Sequence, residues 1–389
     1  MKKIVFLSNG FGEDIIGKAI VSALLCISDG TVPLAILPLV GLGVVYQELP
    51  VEILDPRALL PSGGMLPENP SHIVNDMKAG LISLVLRQFK TLNKIRSQTL
   101  MGVAVGDMMP VLFSAWGLKR PTFFVGTAKS NYFTPYSKVE RLLMKTLCRK
   151  VFVRDQQTSD DLSREGINSN WPGNVMMDAL EYQDLNWKIP PEDEVIALIP
   201  GSRTGALENF ATMLETAELL EKALPSPIHF PLALAQALNP DPFIEAARLK
   251  GWESAVYPSD PHLLAELKKN NMIIYLLKNC FGNILQKSRL VLGQGGTANE
   301  QAVGMGKPVV AFALQGEQSW YRKRQKGLLG DSLIVVEPSP EAITEQIVKL
   351  KHNRELYDNM AAIGKERMGP PGGANKIARE ILDYYRQFN

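Results

Sequence analysis

Short apolar runs alternate with longer stretches of helical periodicity along almost the whole chain. That alternation narrows the fold more than any other feature. In the first half the runs fall at Ile4–Leu7, Leu34–Leu39, Val51–Leu54, Met101–Val105, Thr122–Val125 and Val151–Val153. Helical patterns lie between several of them, at Ile15–Leu25, Ile73–Ile95 and Val139–Lys150. The second half repeats the arrangement, with strands expected at Val195–Ile199, His229–Leu234, Met272–Leu276, Leu290–Leu292, Val309–Ala313 and Leu333–Val336. Strands alternating with helices imply an α/β fold, a parallel sheet with helices on both faces. Prolines and charges replace the apolar periodicity near "LNWKIPPEDE", Leu185–Glu194, and mark a join. The expected architecture is two doubly wound domains of similar size facing a cleft. Residues 1–185 form the first and 186–352 the second, and a helical tail, 353–389, crosses back onto the first.

Composition removes several classes of function. The 389 residues carry a net charge of +2, too little to argue for a nucleic-acid partner. The three cysteines are far apart, with neither a disulfide framework nor metal-ligand spacing, which suits a reducing cytoplasm. The start, "MKKIVFLSNG", has an apolar run of four residues before Ser8, so it reads as a first strand. No uninterrupted apolar stretch reaches the roughly 18 residues of a membrane-spanning helix.

In open α/β sheets, ligands bind beyond the carboxyl ends of the strands, and three glycine turns fall there. "SNGFGEDIIG", Ser8–Gly17, is not a dinucleotide fingerprint, because four residues separate Gly12 from Gly17 where that pattern needs two. It places Glu13 and Asp14 at a helix N-terminus, where carboxylates already satisfy the amides and repel a pyrophosphate. It reads as a hydroxyl-binding or close-packing turn, or as an ordinary N-cap. "IPGSRTGALENF", Ile199–Phe210, follows a strand with Gly201, Ser202 and Arg203 and has no acid before Glu208. Glycine allows close approach, serine caps, and arginine offers a planar fork to phosphate oxygens. The alternative for Arg203 is a surface ion pair. The third turn, in "VLGQGGTANEQAVGMGKPVV", is uncharged from Gly293 to Asn299. Gly295 and Gly296 leave amides bare, Thr297 adds a hydroxyl, and Glu300, about one turn on, is placed for ribose hydroxyls. Two anion-ready turns in one domain, with an acid spaced for a ribose, point to a nucleoside diphosphate.

"ALIPGSR" (Ala197–Arg203), "GNVMMDAL" (Gly173–Leu180) and "GGTANEQAVGMGKPVV" (Gly295–Val310) resemble lipid-A-disaccharide synthase. That family belongs to the nucleotide-sugar glycosyltransferases with two Rossmann-like domains, the GT-B fold. The resemblance implies that Gly201, Ser202, Arg203 and the loop Gly295, Gly296, Thr297, Ala298 hold the diphosphate of a UDP-sugar, with Glu300 on the ribose. It places Asn174 where the family has histidine. "QGEQSW", Gln315–Trp320, resembles the acid–glutamine pair that holds donor hydroxyls, here Glu317 and Gln318. "VGDMMP", Val105–Pro110, resembles the loop that carries the general base, here Asp107. The family's first turn has a glutamate and a serine where this chain has Gly10 and Gly12, with an acid at Glu13 instead. These residues belong to the acceptor side.

Transfer from a UDP-sugar requires the leaving diphosphate to be stabilised and the acceptor hydroxyl to lose a proton. There is no Asp-x-Asp motif, and the four histidines are scattered, so no metal or cofactor is expected. Asp107 follows the apolar run Met101–Val105 and so falls at a strand's carboxyl end, where a base belongs. Its alternative role is an N-cap, and Asp14 is the second candidate for the base. From Met77 to Gly106 there are five basic residues, Lys78, Arg87, Lys90, Lys94 and Arg96, and no acid. With Leu81, Ile82, Leu84, Val85, Leu86 and Phe89 at helical spacing, the segment 76–97 reads as a basic amphipathic helix. It lies on an anionic membrane, aided by the apolar loop Leu59–Leu66, or is a core helix with a solvated face. The resulting expectation is a metal-independent, inverting hexosyltransferase at the inner face of the cytoplasmic membrane. It would move a sugar, an acylated glucosamine in the family, from a UDP-sugar to a lipid or glycolipid acceptor. The alternatives are a UDP-N-acetylglucosamine 2-epimerase-like isomerase and a catalytically degenerate nucleotide- or lipid-binding module.

Overall fold

A computed structural model of the chain describes residues 1–60, 75–185, 189–202, 205–224, 227–312 and 318–389. The chain divides into two compact units, Met1–Ala179 with Gly369–Asn389, and Leu180–Met368. The expected tail is therefore shared: its first helix stays with the second unit and its last segment joins the first.

The first unit contains β1 (Lys3–Ser8), α1 (Phe11–Ile27), β2 (Leu34–Pro38), β3 (Glu52–Ile53), α2 (Leu81–Ile95), β4 (Thr99–Gly106) and α3 (Met108–Leu112). It continues with β5 (Thr122–Gly126), α4 (Lys138–Leu147), β6 (Cys148–Phe152), α5 (Gln156–Arg164), β7 (Ser169–Asn170) and α6 (Val175–Asp178). The strands form one sheet in the order β3-β2-β1-β4-β5-β6-β7, parallel throughout. Strand side chains alternate between faces, and both sets here are apolar. Ile4 and Phe6 meet Ile20 and Leu24 of α1 on one face, together with Ile377 and Ile381 from the last helix of the chain. Val5 and Leu7 pack with Leu92 of α2 and Phe113 on the other. Burial on both faces is what a parallel sheet between helix layers requires.

The second unit contains β8 (Glu194–Ile199), α7 (Ala206–Ala223), β9 (Ile228–Ala233), α8 (Asp241–Leu249), β10 (Glu253–Val256), β11 (Leu263–Lys269), β12 (Met272–Leu277) and α9 (Phe281–Lys287). After these come β13 (Leu290–Gly293), α10 (Thr297–Gly304), β14 (Val309–Phe312), α11 (Gln318–Leu329), β15 (Leu333–Val336), α12 (Pro340–His352) and α13 (Arg354–Met368). The sheet order is β10-β11-β12-β9-β8-β13-β14-β15. From β12 to β15 it is parallel and repeats the connectivity of the first unit, whereas β10 and β11 add an antiparallel extension. The sequence reading did not anticipate that extension. In both units the strand order reverses beside the first strand, between β1 and β4 and between β8 and β13. Such a reversal opens a crevice at the carboxyl ends of those two strands.

The final helix, α14 (Gly373–Phe388), belongs to the first unit. Asp178, at the end of α6, accepts hydrogen bonds from the amides of Gly372 and, at 2.7 Å, Ala374. These are helix N-terminal amides without partners in their own helix, so the carboxylate both caps α14 and opposes its dipole.

The expected helix Ile73–Ile95 is interrupted. Gly80, at φ +93°, ends a short turn, and α2 begins at Leu81. Leu84, Gln88 and Leu92 face the core, while Ile82 is 56% and Leu86 65% exposed, beside the exposed Lys78, Arg87, Lys90, Lys94 and Arg96. Most of the loop Leu59–Leu66 lies outside the described residues. No helix among those described is long and apolar enough to cross a membrane.

Candidate functional site

The crevice of the second unit lies between the loops after β8 and β13. The first loop begins at Gly201, whose φ of +98° suits only glycine without strain. A Cβ there would face the Gln294 carbonyl oxygen at 3.6 Å, so the two loops run close together. Asn209 of α7 donates to the Pro200 carbonyl at 2.8 Å and fixes the end of β8. Ser202 is exposed. Arg203 lies outside the described residues.

The second loop is held from behind. Arg322, buried in α11, donates from Nη2 to the Gln294 carbonyl at 2.9 Å and from Nη1 to Gln325 Oε1 at 2.7 Å. Gln325 Nε2 donates to the Gly295 and Gly296 carbonyls at 3.1 and 3.0 Å. In a trans peptide the N–H points opposite to the C=O. The amides of Gly295, Gly296 and Thr297 are therefore directed away from Arg322 and Gln325. Gly296 then caps α10 with no side-chain hydrogen bond to its first turn. A run of convergent amides at a helix N-terminus is an anion-binding concavity.

Asn299 completes the loop. It is fully buried, and its Nδ2 donates to the Gly293 carbonyl at 3.0 Å. A Cβ on Gly293 would stand 2.2 Å from Asn299 Oδ1, so that glycine is required for packing. Thr297 is exposed, Ala298 and Glu300 are half-buried, and Glu300 sits in the first turn of α10. Glu317 and the side chain of Gln318, which opens α11, lie outside the described residues.

The crevice of the first unit holds carboxyl groups. Asp107 follows β4 and caps α3, with Oδ1 accepting from the Met109 amide at 2.8 Å. Its Oδ2 accepts from Asn9 Nδ2, beyond β1, at 3.1 Å. Burial, opposed by those two bonds, holds the Asp107 carboxyl above the usual carboxylate range. Glu13 in the first turn of α1 is also shifted up, mainly by burial and further by the charge on Asp107. Its side chain lies over Gly106, where a Cβ would stand 3.0 Å from Glu13 Cγ.

Asp14 turns inward. It is 2% exposed, and its Oδ1 accepts from Ser8 Oγ at 2.5 Å, while Tyr46 donates to that hydroxyl at 3.2 Å. Burial pushes its pKa up to about 6. Asp14 thus serves the interior rather than the helix N-terminal amides to which the sequence assigned it. Gly10 is the buried N-cap of α1, and Gly12 is exposed, with open space where a side chain would stand. Asn174 is buried in the first unit, where its side chain caps α6 on the Met176 amide at 3.0 Å and its amide donates to the Pro370 carbonyl. A small pocket at the ends of β5 and β6 is lined by Asn174, Thr127 and Arg154.

Sequence reasoning missed Arg322, Gln325 and Asn9. Arg322 and Gln325 lie in an unremarkable helical stretch, and only tertiary packing brings them behind the glycine loop. Asn9 stands next to Ser8 in the first glycine turn but meets Asp107 only across the β1–β4 reversal. No group of three His, Cys, Asp or Glu side chains placed to hold a metal occurs among the described residues.

Comparisons with known proteins converge on one fold. No family model matches the chain, and no curated protein matches it. Among solved structures, one described as a UDP-N-acetylglucosamine 2-epimerase from Listeria monocytogenes aligns at 19% identity and TM-score 0.63. The alignment covers 100% of this chain and 98% of that one. The S. aureus MnaA–UDP complex aligns at 18% identity and TM-score 0.59, covering 100% and 98%. Acinetobacter baumannii MurG aligns at 12% identity and TM-score 0.61, covering 98% and 100%. The chain therefore has the two-domain α/β fold that nucleotide-sugar glycosyltransferases of GT-B type share with UDP-N-acetylglucosamine 2-epimerases. The finer resemblance to lipid-A-disaccharide synthase rests on the sequence motifs alone.

Proposed function

We propose that this protein is a metal-independent, inverting glycosyltransferase that takes a UDP-sugar as donor and a lipid-like molecule as acceptor. The observation that carries the reading is the braced loop after β13, whose carbonyls are occupied by Arg322 and Gln325 and whose amides point the other way. Such a loop suits a diphosphate in the ground state and, more strongly, the charge that develops as UDP departs. Glu300, one turn along, takes the ribose hydroxyls, and Gly201, Ser202 and Arg203 complete the phosphate grip. Asp107 accepts the proton of the acceptor hydroxyl. The oxygen so freed forms a bond to the anomeric carbon, and the bond from that carbon to the diphosphate breaks with its electron pair going to UDP. The lipid character of the acceptor is supported by α2 and its flanks, which set exposed Ile82 and Leu86 among the basic side chains of Arg87, Lys90 and Lys94, with Lys78 and Arg96 at either end.

The fold supports one other reading, epimerisation of UDP-N-acetylglucosamine, because the aligned structures include proteins described by that activity. Incubation with a panel of UDP-sugars and a bacterial lipid extract, followed by mass spectrometry, separates the two. Transfer gives UDP and a glycosylated lipid in equal amounts, unchanged by EDTA. A new UDP-sugar isomer formed without lipid establishes the epimerase instead. UDP binding with neither product leaves a nucleotide-binding module.

A further inference from the structure

The first turn of α1 places Glu13 over the residue that precedes Asp107. Gly106, at φ +128°, brings the end of β4 so close that a Cβ would stand 3.0 Å from Glu13 Cγ and 3.6 Å from Asn9 Cβ. Two carboxyl groups therefore share the β1–β4 crevice, on opposite sides of the point where the strand order reverses. Their surroundings differ. Asp107 accepts one hydrogen bond on each carboxyl oxygen, from the Met109 amide and from Asn9 Nδ2, and both bonds favour its charged form. Glu13 feels the charge on Asp107, adjoins Asp14, and is supported only by its own amide and the Thr127 hydroxyl beyond β5. The other charged group facing Asp107 is Glu140 of α4, which is paired with Lys129 at 2.7 Å. Among the described residues no lysine or arginine forms an ion pair with Glu13 or Asp107. Buried carboxyls of which one raises the other's pKa, with no cation paired to either, do not both ionise freely, and the proton stays on the one whose charged form is less well hydrogen-bonded, here Glu13.

We propose that Glu13 is the proton-bearing partner of Asp107 in the transfer reaction. Asp107 takes the acceptor's proton, while the neutral Glu13 carboxyl donates a hydrogen bond to the same acceptor oxygen and keeps its own proton throughout. Both carboxyls are shifted up by burial: the charge on Asp107 raises Glu13 further, against bonds from its own amide and Thr127, while the Met109 and Asn9 bonds oppose the rise at Asp107. A lone carboxylate is a weak base for a sugar hydroxyl. A donor aimed at the developing alkoxide lowers the cost of removing that proton. The inference rests on the transferase reading for its chemistry but not for its electrostatics.

Two measurements separate these. Carboxyl 13C titration of the full chain, with Glu13 assigned by its loss in Glu13→Gln, reads the proton directly. The Glu13 midpoint is expected above the ordinary glutamate range and falls by about one unit in Asp107→Asn. An ordinary midpoint, or one indifferent to Asp107→Asn, overturns the proposal whether or not the protein transfers sugar. Turnover, read as UDP release from the productive donor and lipid extract, gives the second test. Glu13→Ala is expected to lower kcat/KM about 10²-fold. Glu13→Gln, which keeps a neutral donor, recovers most of that loss and removes the fall in activity at high pH. Equal loss in Gln and Ala variants refutes the donor role. If no UDP-sugar turns over in the parent protein, the transferase reading fails, and the titration still decides the pairing.

Discussion

Replacing Asp14 by asparagine is expected to stabilise the protein at neutral pH and to leave it little changed only below about pH 4. Asp14 is buried under α1, accepts from Ser8 Oγ and faces no cation among the described residues. Burial raises its pKa from 3.8 to about 6, repulsion from Glu13 adds to the rise, and the Ser8 hydrogen bond opposes it. The folded state therefore holds a proton that the unfolded chain has already lost across the window from about pH 4 to 6. Stability falls as pH rises through that window and levels off above it. A rise of about two pKa units, at about 1.4 kcal/mol per unit, places about 3 kcal/mol of destabilisation on the parent protein at pH 7 and above. The amide of the Asp14→Asn variant would remain neutral and keep an acceptor for Ser8. Urea unfolding at pH 3.5, 5 and 8, followed by circular dichroism, measures the difference. The variant is expected to gain about 2–3 kcal/mol at pH 8, roughly 4–12 °C in Tm for a unit of this size, and to converge with the parent only near pH 3.5, below the unfolded pKa of 3.8. Parallel curves across the whole range would refute the argument, because the charge on Asp14 would then cost the fold nothing.

Three further outcomes follow from the same structure. Gly293→Ala forces a methyl against Asn299 Oδ1 and is expected to destabilise the second unit by about 1–3 kcal/mol, read as a lower urea midpoint with unchanged slope. Gln325→Ala leaves the Gly295 carbonyl without its partner and frees the loop, so UDP affinity by calorimetry should drop about tenfold, equivalent to about 1.4 kcal/mol. Asp107→Asn keeps an acceptor for Met109 but not a base. Its kcat/KM should fall by about 10²–10⁴ while UDP binding stays at the parent value, and a matched loss of UDP affinity would remove Asp107 from the acceptor side.

The alternation of strand and helix was readable because each run is buried on both faces and bounded by turn residues. Leu333–Val336 was found to the residue. The β10–β11 extension was not, since Glu253–Val256 is largely exposed and Leu263–Lys269 mixes charge with apolar residues, leaving no buried run to detect. The glycine turns were legible because their chemistry is local: backbone amides and a missing Cβ need no distant partner. What holds them was not, because Arg322 and Gln325 become relevant only when α11 folds over the loop. Asp107 illustrates the limit in another way. Its position after an apolar strand suggested both an N-cap and a base; the structure gives the cap to one oxygen and a bond from Asn9 to the other, an arrangement no spacing rule reveals.

The bond from Asp178 to the start of α14 also governs the order in which the molecule is completed. The second unit is a continuous stretch of chain inserted into the first, and it has left the ribosome's catalytic centre before Gly369–Asn389 is made. The first unit, though its strands appear earliest, lacks Ala374, Ile377, Ile381 and Tyr385 of its core until that segment is synthesised. During translation the inserted unit can close on its own, while the enclosing one waits with an uncovered apolar sheet face for α14. Termination of translation before Gly373, or proteolytic clipping within α14, therefore damages the amino-terminal half of the protein and spares the middle.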